Sequence, residues 1–203
     1  AFYNASSVSV QQEKINQNPH FVYLAYFAPN VIKVGISQEE RGIRRLLEQG
    51  ARLAIKLETF SSALIARQYE AKISKLDGIA ETLPVHKKME LIKLPFDRAT
   101  GERELRQKLL EIEQKIGVSF PKSELIPCED YFQTAGVDLS RVVLMKDYSQ
   151  LVGHVRSVIG SIVITDYSGQ PLAYNIKKFI GYRAQKVDGV IDIEIPSTQL
   201  ALF

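Results

Sequence analysis

The sequence predicts an α+β protein, and two patterns carry that prediction. Between residues 20 and 76, short apolar runs typical of strands are interleaved with amphipathic runs typical of helices. From about residue 137 the chain reads mostly as short strands separated by glycine, serine and proline. The 203 residues are 45% hydrophobic and 24% charged, which is the ordinary composition of a globular protein that can bury a core.

The first part of the chain predicts a polar segment followed by a hairpin. Residues 1–19 have no clear period and indicate a tail or a short helix around VQQEKINQ. Strands are expected at 21–27 and 31–36, because both are short apolar runs and Pro29-Asn30 provides a turn between them.

An arginine-rich helix is expected directly after the second strand. Ser37 is its candidate N-cap, and Gly50 marks its end. A third strand is expected at 51–60, and a second helix at 61–76. The inner face of that helix is predicted to consist of Ile65, Tyr69, Ile73 and Leu76.

The middle of the chain contains one clear helix. Residues 102–116 place apolar side chains at helical spacing among charged ones, namely Leu105, Leu109, Ile112 and Ile116. Residues 77–100 predict mostly loop, with a short strand at MELIKL. Two prolines, Pro121 and Pro127, place a boundary within 117–136.

The remainder of the chain predicts a β-rich region. Strands are expected in RVVLMKDY, QLVGHVRSVIG, SIVITDY and LAYNIKKFIGYRAQKV, with a hairpin turn at 167–171 and a closing strand at VIDIEI. The predicted organisation is a tail at 1–19, an α+β unit at 20–100, a helix and linker at 101–136 and a β-rich domain at 137–203.

Composition narrows the class of protein. The lone cysteine, Cys128, excludes an intramolecular disulfide and a multi-cysteine zinc site within these residues, and it predicts a cytoplasmic protein. No apolar run approaches the roughly 20 residues of a membrane span, so no membrane partner is expected. The chain begins with Ala1 instead of methionine, which leaves open whether an N-terminal segment precedes it. The oligomeric state is not predicted.

Four residues between positions 20 and 76 stand in an informative order along the predicted elements. Tyr23 lies in FVY on the first strand, and Gly35 ends KVG on the second strand. Arg45, with Arg44 one residue earlier, lies on the following helix, and Glu70 lies on the helix after the third strand. This order resembles the motifs of the GIY-YIG endonuclease superfamily, in a divergent bacterial branch, with the family's arginine matched by Arg45 or by Arg44.

The resemblance implies a magnesium-dependent nuclease site. Glu70 would hold the metal, since a single carboxylate with waters is a normal arrangement for Mg²⁺. Arg45 or Arg44 would bind the scissile phosphate through its planar guanidinium, and Tyr23 would align or deprotonate the attacking water. Arg41, on the same helix face, is a further expected phosphate contact, and Gly35 is expected to serve the structure of the motif.

Two positions depart from the family pattern. Lys33 stands where typical members carry the second tyrosine, and Gln49 stands where many carry a histidine or tyrosine. A glutamine cannot serve as a general base near neutral pH, and a lysine serves poorly unless burial lowers its pKa. His20 and Tyr26 lie nearby in sequence as possible substitutes. The alternative reading of the arginines is a solvated helix face paired with glutamates.

The β-rich region offers a second candidate nucleic-acid surface. Basic and aromatic residues alternate there, and strands of this kind suit single-stranded nucleic acid because bases stack while cations follow the backbone. The expected contacts are Tyr174, Lys177, Lys178 and Arg183. The alternative is a sheet whose aromatic residues form the core and whose lysines are solvated.

Together these features predict action on DNA or RNA, with Mg²⁺-dependent phosphodiester hydrolysis as the specific hypothesis. Two alternatives stay open: a catalytically silent nucleic-acid-binding module, and a scaffold or interaction protein whose positive charge of +3 is incidental.

Overall fold

The computed structural model describes residues 9–189, 193, 195 and 196, and it confirms the predicted α+β class. The chain enters through the short helix α1 (Val10–Gln17), whose first turn is capped by the Ser9 hydroxyl, which accepts from the Gln12 amide at 3.1 Å. This is the helix expected around VQQEKINQ.

Five strands form the first sheet. They are β1 (His20–Ala28), β2 (Val31–Gln38), β3 (Leu53–Phe60), β4 (Ile79–Ala80) and β5 (Glu124–Ile126). Their order across the sheet is β4-β2-β1-β3-β5. The central strand β1 is antiparallel to β2 and to β3, whereas β2 and β4 run parallel. The predicted boundary within 117–136 stays a prediction, but part of that stretch supplies the edge strand β5.

Four helices follow or flank these strands: α2 (Gly42–Gln49), α3 (Ala63–Ile73), α4 (Val85–Leu91) and α5 (Arg98–Ile116). Gly50 ends α2 in the left-handed conformation, as expected. Ser37 is not an N-cap, because β2 continues through it and a 3-10 turn at Glu39–Arg41 precedes the helix.

Two further expectations in this half were wrong. The segment MELIKL is not a strand, because its first residues belong to α4, whose buried face carries Met89 and Leu91. Ile65 is 36% exposed, so it does not lie on the inner face of α3. The other three residues predicted for that face, Tyr69, Ile73 and Leu76, do pack against the core, together with Ala66.

Strand β1 is buried along its whole length and separates two cores. Val22, Leu24 and Tyr26 pack with α3 and α5 on one side. Phe21, Tyr23, Ala25 and Phe27 face the other side, where α2, α4 and the second sheet cover them. We call this second side the Tyr23 face, since alternate residues of a strand point to opposite faces.

Four strands form the second sheet, in the order β6-β9-β8-β7: β6 (Val143–Leu144), β7 (His154–Ile159), β8 (Ile162–Tyr167) and β9 (Gln170–Asn175). Ser168 and Gly169 both have positive φ and join β8 to β9, which confirms the expected hairpin turn. The turn between β7 and β8 packs tightly on α2, since a Cβ on Gly160 would lie 2.8 Å from the amide nitrogen of Gly50.

Of the last two predicted strands, one is shorter than expected and the other lies mostly outside the described residues. The long strand expected from residue 172 ends at Asn175, where its side chain accepts from the Lys177 amide and starts a 3-10 turn at Ile176–Phe179. The closing strand expected in VIDIEI lies mostly outside the described residues. No helix among the described residues is long and apolar enough to cross a membrane.

Candidate phosphate-binding site

The site is built on the close contact between Tyr23 and Gly35, which are partners across the β1–β2 ladder. The Tyr23 ring lies over Gly35 so closely that a Cβ on the glycine would be 2.5 Å from the phenolic oxygen. A glycine is therefore needed at this position, because any side chain would displace the ring. The structural role expected of Gly35 is thus to leave room for the Tyr23 ring.

The hydroxyl of Tyr23 is an anomaly. The residue is fully buried, and its oxygen has no hydrogen-bond partner of acceptable geometry among the described residues. Burial raises the pKa of this phenol, while the nearby Arg45 guanidinium pulls the pKa down. An unpaired buried hydroxyl costs about 1–3 kcal/mol, so an orphan of this kind in a native core calls for an explanation.

Helix α2 brings Arg45 to this hydroxyl. The Nε of Arg45 is also buried and without a partner among the described residues, and its Nη1 is 3.9 Å from the Glu48 carboxylate. Arg41 forms an ion pair with the same glutamate. The Arg45 guanidinium approaches the Tyr23 hydroxyl closely enough for its charge and hydrogen bonding to lower the pKa of that phenol, although neither the hydroxyl nor Nε has a partner of good geometry among the described residues. These are the two orphan polar atoms of the Tyr23 face.

Arg44 is placed differently, although it was an equal candidate for the phosphate-binding arginine. Its side chain is exposed and makes no hydrogen bond or ion pair with the residues that the structure describes. Arg41 and Arg45 both approach Glu48, so Arg41 lies on the helix face of Arg45, as expected. The alternative reading of the arginines as a face paired with glutamates applies to Arg41 and, at the longer distance of 3.9 Å, to Arg45.

Glu70 and Lys33 complete the cluster. The Glu70 carboxylate has no hydrogen-bond or ion-pair partner within the described part of the chain, and burial raises its pKa against the attraction of Lys33, Arg67 and Arg45. Burial lowers the pKa of Lys33, whose ammonium donates to the carbonyl oxygens of Val34 at 2.9 Å and Glu81 at 2.5 Å. The four predicted side chains Tyr23, Lys33, Arg45 and Glu70 thus influence one another's charge.

Neither proposed substitute for the second tyrosine belongs to this cluster. Tyr26 lies on the opposite face of β1, because it is an odd number of residues from Tyr23, and it packs in the other core. His20 lies at the start of β1, where its Nδ1 is 2.8 Å from the Asn18 carbonyl oxygen.

Gln49 is joined to a residue that sequence reasoning missed. The Lys88 ammonium on α4 donates to the Gln49 backbone carbonyl at 2.6 Å and lies 3.4 Å from its side-chain oxygen. Burial, together with the charges of three neighbouring cations, lowers the pKa of Lys88 to about 8; the cations are Lys177, Lys33 and Arg45. The spacing of Val85, Met89 and Ile92 was the available signal, since i, i+4, i+7 apolar residues indicate a helix and would have placed Lys88 on its edge.

The nucleic-acid contacts predicted in the β-rich region differ in how accessible their side chains are. Tyr174 is 1% exposed and packs with Tyr148, so its ring is not available for stacking on a base. Lys178 donates to the Lys146 carbonyl and lies 4.5 Å from the Tyr148 ring centre. Lys177 and Arg183 are exposed, and the charge of Lys177 acts on the Lys88 ammonium.

The oxygen ligands near this cluster could hold a hard cation such as Mg²⁺, but they are few. Glu70 is a free carboxylate, and the charge of Glu81 is close enough to raise its pKa, so oxygen ligands are at hand for an ion that keeps several waters. Among the described residues, no group of three or more His, Cys, Asp or Glu side chains is arranged to hold a metal. Glu70 is the residue that would hold Mg²⁺.

A well-formed cavity lies beside this cluster instead of inside it. It has a volume of about 560 Å³ and is lined mainly by apolar residues, among them Phe27, Phe132 and Ile159, together with Lys88 and Arg52. Arg52 is committed to the fold, since it donates to the carbonyl oxygens of Leu91, Ile92 and Leu94 at 2.8–3.3 Å. Lys88 is thus the residue that connects the cavity with the cluster.

The fold and the site define an α+β protein with a cationic cluster around one free carboxylate, built on the central strand of its first sheet. Residues 8–184 match a family described as "Protein of unknown function (DUF2797)", and because the match spans most of the chain, the protein belongs to that family. No curated protein and no solved structure matches the chain.

Proposed function

We propose that this protein acts on nucleic acid through the cluster of Tyr23, Lys33, Arg45 and Glu70, and that the reaction it catalyses is Mg²⁺-dependent phosphodiester hydrolysis. The observation that carries the proposal is the pair of orphan polar atoms, Tyr23 Oη and Arg45 Nε, beside the free carboxylate of Glu70. Polar atoms that a fold leaves without internal partners are available to a ligand.

The proposed fold of residues 20–76 is that of the GIY-YIG superfamily. The order β1, β2, α2, β3, α3 supports it, as does the placement of the tyrosine, the glycine, the arginine and the glutamate on the elements where the resemblance puts them. Of the two arginines that fitted the motif, the proximity of Arg45 to Tyr23 and Glu70 favours Arg45.

In the proposed mechanism Arg45 donates to the non-bridging oxygens of the scissile phosphate, where negative charge develops. Its movement onto the phosphate uncovers the Tyr23 hydroxyl, which orients the attacking water. Glu70 would hold Mg²⁺, which when bound supplies charge neutralisation at the phosphate and lowers the pKa of a bound water. Lys33, held by two carbonyl oxygens, adds positive charge beside the same phosphate.

A catalytically silent nucleic-acid-binding module is the second candidate, and two observations favour it. The Tyr23 oxygen is enclosed in this conformation, and Lys33 uses its ammonium on backbone carbonyls of β2 and of the segment after β4. In that case the cluster binds a phosphate without cutting beside it.

The experiment is cleavage of labelled single- and double-stranded DNA and RNA, with Mg²⁺ or Mn²⁺ against a chelator. Four proteins run in parallel: wild type, Glu70→Gln, Arg45→Met and Arg44→Met. Arg44 is the matched control, because it is the neighbouring arginine of the same helix and is exposed. We expect metal-dependent cutting by wild type and Arg44→Met, and a loss of about 10²-fold or more in the other two.

The same proteins separate the alternatives. Salt-sensitive binding without cutting by the wild type establishes the silent module, because phosphate contacts release counterions. Equal cutting by wild type and Glu70→Gln contradicts the assignment of Glu70. Absence of any salt-sensitive binding to the four nucleic acids contradicts both readings and leaves the scaffold alternative.

A further inference from the structure

Lys88 lies in a group of cations that come from four separate elements. Lys33 is on β2, Arg45 on α2, Lys88 on α4, and Lys177 on the 3-10 turn after β9. The Lys88 ammonium binds Gln49, which lies one helical turn after Arg45 on the same face of α2, and the charges of the other three residues all act on it. We call these residues the Lys88 cluster. The fold assembles it by packing α4 against both β1 and β9, so the two sheets contribute to one site.

No acid neutralises Lys88. Its ammonium is bound by the neutral oxygens of Gln49 and lies 4.9 Å from the centre of the Phe27 ring, and no carboxylate of the described residues forms an ion pair with it. Lys33 differs, since the Glu70 carboxylate attracts it. Within the Lys88 cluster, positive charge is therefore uncompensated on the side of Lys88 and Lys177.

The neighbouring residue shows that this is not the ordinary state of a lysine on α4. Lys87 is 51% exposed and pairs with Glu90 of the same helix at 3.3 Å. Lys88 is half-buried, the charged groups that act on it are all cations, and its pKa is lowered to about 8. Like charges held together at partial burial disfavour the free protein, and a bound anion relieves that repulsion.

We propose that Lys88 and Lys177 form a second phosphate subsite beside Arg45, which takes the neighbouring phosphate of the same nucleic-acid strand. The inference rests on the proposed function, because it extends the site from one phosphate to two. Backbone phosphates repeat along a strand, so a second cationic subsite adjacent to the first fixes the direction in which the strand crosses the protein. The nucleic-acid strand then runs from Glu70 on α3, past Arg45, towards Lys177 on the 3-10 turn after β9.

The test is the salt dependence of binding of a fluorescent single-stranded oligonucleotide and of its duplex at pH 7. Wild type is compared with Lys88→Gln, Lys177→Gln and the matched control Lys87→Gln. Losing one phosphate contact lowers the slope of log K against log salt by about 0.7 for a single strand and about 0.9 for a duplex. We expect that decrease for Lys88→Gln and Lys177→Gln, and an unchanged slope for Lys87→Gln.

Folding is controlled by the thermal midpoint of each variant. Lys88→Gln is expected to melt close to the wild-type temperature, because it removes a repelled charge and also removes the donor to the Gln49 carbonyl oxygen. If Lys88→Gln melts at a markedly lower temperature, Lys88→Arg decides instead: it keeps the charge, and it is expected to restore both the midpoint and the salt slope.

The outcomes distinguish this inference from the proposed function. If Arg45→Met weakens binding and Lys88→Gln leaves the slope unchanged, the second subsite is wrong and the proposed function stands. If no oligonucleotide binds wild type, the proposed function fails; a rise in the wild-type midpoint with inorganic phosphate that Lys88→Gln abolishes would then make this a site for a free anion, which also overturns a subsite for a strand.

Discussion

Two arginines, Arg52 just before β3 and Arg45 on α2, use their charges in two different ways. Arg52 is 8% exposed, donates to three backbone carbonyl oxygens near the end of α4 and lies 5.1 Å from the Phe96 ring centre. Arg45 lies over the Tyr23 hydroxyl with a buried Nε that has no partner among the described residues. The first charge is satisfied by the fold, and the second is available to a ligand.

The difference teaches how structural and functional charges can be told apart. A guanidinium whose donors are used by backbone carbonyls is part of the scaffold, because removing it would leave those carbonyls unpaired. A guanidinium that the fold brings to a site without pairing it contributes little to stability. For these two arginines the hydrogen-bond partners mark the difference, since three backbone carbonyls hold Arg52 and no backbone carbonyl of the described residues holds Arg45.

The largest expected effect is the loss of stability when Arg52, the arginine held by the fold, is replaced. Arg52→Met should reduce the free energy of unfolding by about 3 kcal/mol, because three carbonyl oxygens lose a charged donor. The matched Arg45→Met should change it by less than about 0.5 kcal/mol. Urea unfolding followed by circular dichroism measures both. Equal losses in the two variants would show that Arg45 is structural.

The next effect tests the contact between Tyr23 and Gly35. Gly35→Ala should cost about 1–3 kcal/mol, because the new Cβ would lie 2.5 Å from the Tyr23 oxygen in a buried site. In a double-mutant cycle, Gly35→Ala should cost less in a Tyr23→Ala background than in wild type, since the ring that clashes is gone. A Gly35→Ala protein as stable as wild type would mean that the ring is free to move aside.

A smaller effect of the opposite sign is expected for the orphan hydroxyl. Tyr23→Phe should leave stability unchanged or raise it by up to about 1 kcal/mol, because it removes a buried oxygen without a partner. Thermal unfolding at pH 7 measures it, and the cleavage and binding assays on the same variant measure function. A loss of about 1 kcal/mol or more would instead indicate that the hydroxyl is satisfied by a structural water.

The last prediction is a pH dependence that belongs to Lys88. Its pKa is about 8 in the folded protein and lies at the ordinary, higher lysine value in the unfolded chain, so the unfolded chain binds more protons between those values. Stability contributed by this group therefore rises as pH increases from about 8 to about 10. Urea midpoints measured across that range should rise more steeply in wild type than in Lys88→Met, and parallel curves would contradict the lowered pKa.

The sequence by itself determined the α+β class, the hairpin of β1 and β2, the helix α5 and the turn between β8 and β9. Each of these depends on local patterns: alternation, i, i+4 spacing of apolar side chains, and positive φ at a two-residue turn. It also drew attention to Tyr23, Arg45 and Glu70, through their order along the chain.

Only the tertiary structure decided which of these residues meet. Arg44 and Arg45 are adjacent in sequence, yet one is exposed and the other lies against Tyr23, because the direction of a helical side chain depends on how α2 packs. Tyr174 looked like a stacking residue and is buried, since burial depends on what covers a strand. Lys88 and Lys177 are far apart in sequence, and the packing of α4 between two sheets brings their charges together, which no local pattern encodes.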